Sequence, residues 1–125
     1  MNIYESAEDY LENILILKNK NGKVKSIDIA QYMNYSKPSI SRAVKGLKED
    51  GYITVDSLGY IELTPKGSAI ANNIYERHVI LSSYFESLGV PRDIALKDAC
   101  KVEHDLSKET FEALKKEANL KNQKK

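Results

Sequence analysis

Two short helical patterns, separated by a connection of two residues, constrain the fold of this chain more than any other feature. Both lie within residues 26–50, and the connection is Asn34-Tyr35. Ser26 and Ser36 precede the apolar residues of the two patterns, where serine is a preferred N-cap, and Gly51 ends the second pattern. Two short helices joined this tightly predict a helix-turn-helix.

The apolar pattern changes to a strand period after the second of these helices. Two β-rich runs, residues 52–55 and 60–63, flank the four-residue turn 56–59. Runs of this kind around a short turn predict a β-hairpin. A hairpin that directly follows a helix-turn-helix is read as a wing.

Helical patterns flank this module on both sides. We expect a helix over residues 6–18, a long one over 65–88, another over 92–106, and a last one capped by Ser107. The predicted fold class is therefore mainly α, a winged helix-turn-helix followed by an all-helical module. We place the boundary between residues 64 and 65.

The charge is distributed unevenly along the chain. In total 19 Lys and Arg nearly balance 18 Asp and Glu, which excludes a bulk polycation and an acidic disordered chain. Residues 18–48, however, carry eight bases and only Asp28 as an acid, a local balance of +7. A basic excess local to this one segment favours a nucleic-acid-facing surface, with a solvated run of charge as the plain alternative.

The second helix of a helix-turn-helix lies in the major groove, so its exposed residues carry the readout. Arg42 can donate two parallel hydrogen bonds to a guanine edge, and Tyr60 near the wing is placed to contact a phosphate or the minor groove. Without the wing and the local charge, a capped basic helix is common in any protein. The predicted DNA-binding residues are Lys37, Ser39, Ser41, Arg42, Lys45 and Tyr60.

Cysteine, carboxylate and imidazole side chains recur at helical spacing. Cys100, Glu103 and His104 stand at i, i+3 and i+4, which places them on one face of one helix. Asp9 and Glu12 are also three residues apart, and His78 interrupts the apolar line of the long helix. Taken singly, each residue has a plain structural interpretation: Asp9 and Glu12 as surface acids, His78 as a core histidine and Cys100 as a small buried hydrophobic residue. Together they suit a divalent first-row ion better than calcium or a closed zinc site.

Cysteine content and the first residues bear on the compartment. One cysteine excludes an internal disulfide, and residues 1–5 lack the regions of an export signal. No apolar run approaches the ~20 residues of a membrane-spanning helix. We therefore expect a cytoplasmic protein without a membrane partner.

Several motifs resemble those of the diphtheria toxin repressor and manganese transport regulator family. They are Asp9-Tyr10-Leu11-Glu12, the helix 36–47, Leu63-Thr64-Pro65-Lys66-Gly67, Arg77-His78 and the run from Cys100 to Ser107. The resemblance implies a metal-activated, homodimeric repressor that binds a double-stranded DNA operator, with Mn²⁺ or Fe²⁺ as the ion. It also implies that the helical module 65–125 binds metal and dimerises. Asp9, Glu12, His78, Cys100, Glu103 and His104 fall on the family's metal-ligand positions.

The chain departs from the family pattern in instructive ways. Asp9 and Glu12 resemble the manganese branch, whereas Cys100 with Glu103 and His104 resembles the iron branch and some manganese sensors. Ser82 stands where the iron branch's ancillary site has a carboxylate, and no histidine lies near Leu96. We expect no full second site of that kind. Because the sequence ends at Lys125, it resembles the short form without an SH3-like domain.

Three other functions remain open at this point. The chain can be a winged-helix regulator that does not respond to metal, a metalloenzyme built on the Cys100 cluster, or a nonspecific DNA-binding protein. We expect no enzyme, because no nucleophile–base pair or phosphate-cradling glycine loop is evident. The first alternative is tested by substitution of Glu103 and His104, and the second by turnover assays. The third is tested by the salt dependence of DNA binding.

Overall fold

The computed structural model describes residues 3–123, with side chains for residues 6–120. Two compact units divide the chain, Met1–Asn72 and Asn73–Lys125, and each is described by itself. The elements follow in the order α1 (Ile3–Asn21), α2 (Ser26–Met33), α3 (Lys37–Glu49), β1 (Ile53–Val55), β2 (Ile61–Leu63), α4 (Pro65–Ser87), α5 (Arg92–Val102) and α6 (Lys108–Gln123). The mainly α winged-helix architecture predicted from the sequence is confirmed.

Helix α3 begins and ends as the sequence predicts. The Ser39 backbone N–H donates to Oγ of Ser36 at 3.3 Å, so Ser36 caps the helix. At the other end, Gly51 adopts a φ of 81°, a left-handed conformation that glycine accepts without strain. Buried Ile40 and Leu47 anchor the helix to the core of the first unit.

The cap of α2 differs from the prediction. Lys25, not Ser26, is the N-cap residue, and its backbone N–H donates to Oδ2 of Asp28 at 2.8 Å. Lys25 is extended because it forms a β-bridge with Tyr60, so the helix can begin only at the next residue. A long-range strand contact therefore overrides the local preference for serine.

Strands β1 and β2 form an antiparallel pair in which Ile53 faces Leu63 and Val55 faces Ile61. The hairpin prediction is confirmed, although each strand is one residue shorter at its start. Oδ1 of Asp56 accepts backbone N–H bonds from Leu58 and Tyr60, both at 2.9 Å, which closes the turn. The core beneath the sheet consists of apolar residues of both strands and of α1 to α3, chiefly Leu11, Ile14, Val24, Ile29, Ile40, Ile53 and Ile61.

The second unit contains the later part of α4 together with α5 and α6. Its buried residues include Ile74, Leu81, Ala95, Ala99 and Phe111. The Thr110 backbone N–H donates to Oγ of Ser107 at 3.1 Å, which confirms Ser107 as the cap of α6. Among the described residues, none of the helices combines the length and apolar character needed to cross a membrane.

The prediction of one helix over 92–106 is wrong at its end. Helix α5 stops at Val102, and residues 103–105 form a turn. Glu103 keeps helical angles, φ −57° and ψ −30°, and its N–H still bonds to the carbonyl of Ala99 at 2.9 Å. The chain must then leave the helical path so that Ser107 can cap the next helix. His104 therefore lies in the turn instead of on the helical face shared by Cys100 and Glu103.

Candidate metal centre and nucleic-acid interface

The predicted DNA-reading side chains lie along α3 in the first unit. Lys37, Ser41, Arg42 and Lys45 are exposed. Ser39 is half-buried, and its Oγ lies 2.9 Å from Oγ of Ser36, so its hydroxyl is already engaged in the cap. Four of the five residues on this helix are thus exposed, and three of these four, Lys37, Arg42 and Lys45, have long cationic side chains.

A surface groove of about 300 Å³ runs between α2 and α3. Its walls combine apolar carbon with the polar ends of residues already predicted to bind DNA. The lining residues are Ser26, Ile27, Ala30, Lys37, Ile40 and Ser41. Such a surface can take an apolar group such as a thymine methyl beside a charged contact.

Tyr60 lies between two lysines, directly after the turn of the wing. Nζ of Lys23 is 4.9 Å and Nζ of Lys25 is 4.7 Å from the centroid of the Tyr60 ring, within the range of cation–π contacts. Sequence reasoning counted both lysines only in the local charge excess. The alternation of lysine and valine at residues 23–25 was the available signal. Alternate residues of an extended segment share a face, so Lys23 and Lys25 lie together on the side opposite buried Val24.

The two candidate ligands of α1, Asp9 and Glu12, lie one helical turn apart in the first unit. Glu12 is only 5% exposed, whereas Asp9 is half-buried. The interpretation of Glu12 as a surface acid is therefore wrong. A buried carboxylate is costly unless a cation or hydrogen-bond donor accompanies it, so its position already indicates a cationic or polar partner.

Glu103 is the centre of the cluster in the second unit. Its side chain is completely buried, and Oε2 accepts a hydrogen bond from Nδ1 of His78 at 2.9 Å. Nε2 of His104, whose side chain is 1% exposed, lies 3.5 Å from Oε1. A carboxylate from the end of α5 is thus flanked by imidazoles from α4 and from the following turn.

Cys100 lies on α5 one turn before Glu103 and is exposed. The alternative that it is a small buried hydrophobe is therefore wrong. His78 is half-buried and bonded to Glu103, so it is not simply a core histidine in an apolar setting.

These residues suit a divalent transition-metal ion. Oε1 of Glu103 is buried and accepts no hydrogen bond from any residue within the described chain. A buried anionic oxygen without a donor is well suited to a cation. Carboxylate, imidazole and thiolate together match Mn²⁺ and Fe²⁺ better than calcium, which requires oxygen ligands throughout.

Sequence reasoning did not single out Arg77, although it quoted the Arg77-His78 pair. The guanidinium is buried, and Nη1 donates to the main-chain carbonyls of Glu103 and Leu106. The available signal was the position of this arginine next to His78, a candidate metal ligand, on a helix with an apolar face.

Comparison with protein families identifies both halves of the chain. A model described as iron dependent repressor, N-terminal DNA binding domain, matches residues 2–67. A second, described as iron dependent repressor, metal binding and dimerisation domain, matches residues 64–120. The matched regions correspond to the winged-helix elements and to the helices that bear the Glu103 cluster.

Individual relatives support the same relationship. The chain is 35% identical over 113 residues to an HTH-type transcriptional regulator of Methanocaldococcus jannaschii, covering 89% of this chain and 90% of that protein. It is 34% identical over 109 residues to the transcriptional regulator MntR of Salmonella typhimurium, covering 87% and 69%.

A solved structure gives the corresponding comparison of folds. The structure of the manganese regulator SloR matches with a TM-score of 0.79 and 30% identity, covering 90% of this chain. The chain spans about half the length of that solved protein, 53%.

Proposed function

The chain belongs to the iron-dependent repressor family, and from that membership we propose that it is a metal-responsive, DNA-binding repressor of transcription. The observation that carries the proposal is the buried Glu103 carboxylate between His78 and His104, on a chain whose first unit is a winged helix. We assign DNA binding to a domain of residues 1–64 and metal binding and dimerisation to residues 65–125. The family models at 2–67 and 64–120 support that division.

The proposed ion is Mn²⁺ or Fe²⁺. Burial of Glu12 and Glu103 and the imidazole contacts of Glu103 support a site for a cation. A bound ion supplies positive charge to these buried carboxylates. We assign its binding to Asp9, Glu12, His78, Cys100, Glu103 and His104. Relatives named as manganese regulators favour manganese as the first ion to test.

The proposed DNA surface comprises residues of α3 and of the wing. Arg42 is suited to base readout, and the lysines to phosphate contacts. Cation–π contacts with Tyr60 keep Lys23 and Lys25 near the wing, so we add both lysines to the surface. The remaining members are Lys37, Ser39, Ser41, Lys45 and Tyr60.

We propose that the protein acts as a homodimer on a double-stranded operator in the cytoplasm. Large apolar side chains of the second unit are exposed, which suits an interface with another copy. They are Tyr75, Val79, Leu88, Ile94 and Leu120, with exposed fractions of 39% to 57%. In such a dimer, the two α3 helices must meet half-sites spaced by about 34 Å, one turn of DNA.

Metal and DNA binding are then linked. An ion bound by the assigned ligands reduces the conformational freedom of the protein, so DNA binding costs less conformational entropy. Linkage requires that DNA raise metal affinity by the same factor, typically a coupling of about 1–3 kcal/mol.

The test is DNA binding by fluorescence anisotropy at fixed salt, with fragments from the protein's own promoter and from promoters of metal-transporter genes. Chelator, Mn²⁺, Fe²⁺ and Zn²⁺ are compared. We expect Mn²⁺ or Fe²⁺ to raise affinity for one fragment by about tenfold or more, corresponding to a coupling of about 1.4 kcal/mol. Equal affinity in chelator and metal would leave a winged-helix regulator that does not respond to metal. Equal affinity for all fragments, with a steep salt dependence, would indicate nonspecific binding.

A further inference from the structure

Arg77 is a buried arginine, 8% exposed, that immediately precedes His78 on α4. Its Nη1 donates hydrogen bonds to the main-chain carbonyl of Glu103 at 3.0 Å and to that of Leu106 at 2.7 Å. The guanidinium also lies over the ring of Phe111, 5.1 Å from the centroid. Arginine is rarely buried without such partners, so these contacts define its place in the second unit.

The acceptors are main-chain oxygens that the end of α5 leaves without helical partners. Glu103 is the C-cap of the helix, and Leu106 lies just beyond the turn. One nitrogen thus bonds to both ends of the segment that contains Glu103 and His104. Arg77 thus holds the two carbonyls of this segment, in addition to the backbone bonds from the N–H groups of Glu103 and Asp105 to the preceding turn.

Consecutive residues of α4 therefore hold Glu103 at two different points. Arg77 binds its main-chain oxygen, while His78 donates to its side-chain oxygen Oε2. Because the guanidinium bonds to carbonyls and not to the neighbouring carboxylate, it does not neutralise Glu103 by a direct hydrogen bond.

We propose that Arg77 is a positioning residue for the metal site, holding the turn 103–106 so that Glu103 and His104 are arranged before an ion arrives. The inference rests on the proposed function. A preformed segment does not have to be ordered when the ion binds, and the affinity for the ion rises accordingly. A planar guanidinium is suited to two fixed acceptors, whereas a lysine ammonium lacks this rigid geometry.

Electrostatics alone makes the opposite prediction. The positive charge of Arg77 repels a divalent cation bound nearby, so its removal would raise metal affinity if charge were its main effect. Positioning requires that removal lower the affinity. The sign of the change therefore separates the two roles.

The experiment compares wild type with Arg77→Met, Arg77→Lys and Ala118→Gly in the full-length chain. Ala118 is buried in α6, and glycine there destabilises the helix without removing a contact of Arg77. Mn²⁺ affinity is measured by calorimetry, metal-free melting temperature by circular dichroism, and amide exchange of residues 102–107 in the metal-free protein by mass spectrometry.

We expect Arg77→Met to lower Mn²⁺ affinity about tenfold or more and to accelerate exchange across the turn, with Arg77→Lys intermediate. Ala118→Gly should lower the melting temperature but change affinity by less than about threefold. Unchanged or higher affinity in Arg77→Met overturns the proposal, as does an equal loss in Ala118→Gly. If Arg77→Met does not fold, the test rests on Arg77→Lys. The proposal is then overturned if Arg77→Lys has the same Mn²⁺ affinity and the same amide exchange as wild type. Absence of Mn²⁺ and Fe²⁺ binding by wild type would instead refute the proposed function.

Discussion

Gly67 lies so close to the main chain of Tyr52 that a Cβ atom at position 67 would come within 2.9 Å of the Tyr52 carbonyl carbon and still closer to its oxygen. That oxygen also accepts the backbone N–H of Thr64 at 3.0 Å. Nζ of Lys66 lies 4.4 Å from the centroid of the Tyr52 ring. The start of α4 is thus packed directly against the segment that joins α3 to the wing.

Gly67→Ala should destabilise the winged-helix unit, because the added Cβ would clash with main-chain atoms of Tyr52. No flexible side chain is involved that could move aside. We expect a loss of at least about 2 kcal/mol in the free energy of unfolding, measured by urea titration of the metal-free protein. Gly46→Ala is the matched control. A Cβ there meets nothing within 4 Å in the middle of α3, so alanine should stabilise by about 0.5–1 kcal/mol. Equal urea midpoints for Gly67→Ala and wild type would contradict the contact.

Glu103→Gln should abolish the response to metal while preserving the fold. The amide has nearly the same shape and still accepts the hydrogen bond from His78, but it lacks the charge that binds a cation. We expect the Mn²⁺-induced gain in DNA affinity to fall by about tenfold or more, with binding in chelator unchanged. Glu109→Gln, an exposed residue in the first turn of α6, is the control and should respond as wild type does. A full metal response in Glu103→Gln would refute the assigned site.

Arg42→Ala and Lys37→Ala should weaken DNA binding in different ways. Arg42 is assigned to a base edge, so its loss should cost about 1–3 kcal/mol on the operator and reduce discrimination against altered sequences. Lys37 is assigned to a phosphate, so its loss should weaken all sequences alike and lower the salt slope by about 1. Anisotropy titrations on the operator and on single-base variants, at several salt concentrations, distinguish the two. Identical changes in specificity would contradict the assignment.

Stability at alkaline pH should depend on Tyr10. Burial and then the neighbouring Tyr35 raise the pKa of Tyr10 above its usual value of about 10. The folded state therefore holds the phenol proton more tightly than the unfolded state. This contribution is complete below the unfolded pKa and is lost as the pH rises through the folded pKa. Tyr10→Phe cannot ionise, so its stability relative to wild type should rise with pH in that range.

The measurement is the urea midpoint of both proteins at about pH 8 and about pH 11, on either side of the ordinary tyrosine pKa. Tyr32→Phe, whose parent ring is 48% exposed, is the control. A constant difference between Tyr10→Phe and wild type at both pH values would refute the prediction.

Features fixed by neighbouring residues were predictable from sequence. The Ser36 cap of α3, the Ser107 cap of α6 and the hairpin turn at Asp56 all use hydrogen bonds within four residues. Two errors arose where distant residues decide the local conformation. Lys25 replaces Ser26 as a cap because it pairs with Tyr60, and α5 ends early while Arg77 binds the freed carbonyls.

The candidate site shows the same division. The spacing of Cys100 and Glu103 on α5 follows from helical periodicity alone. The hydrogen bond between His78 and Glu103 joins residues 25 positions apart, so it cannot be inferred from helical periodicity. Arg77 was missed for the same reason, because its partners are main-chain atoms that any residue type would provide.

The hydrogen bond between His78 and Glu103 also bears on the concentration at which a sensor responds. An ion that binds Nδ1 of His78 must first break this bond, so the internal bond competes with the ion for that nitrogen. Breaking the bond costs free energy, and the apparent dissociation constant equals the intrinsic one divided by the fraction of molecules in which the bond is open. A regulator must remain empty when metal is scarce and fill when metal is sufficient. The strength of one imidazole–carboxylate contact is thus a means of setting that threshold.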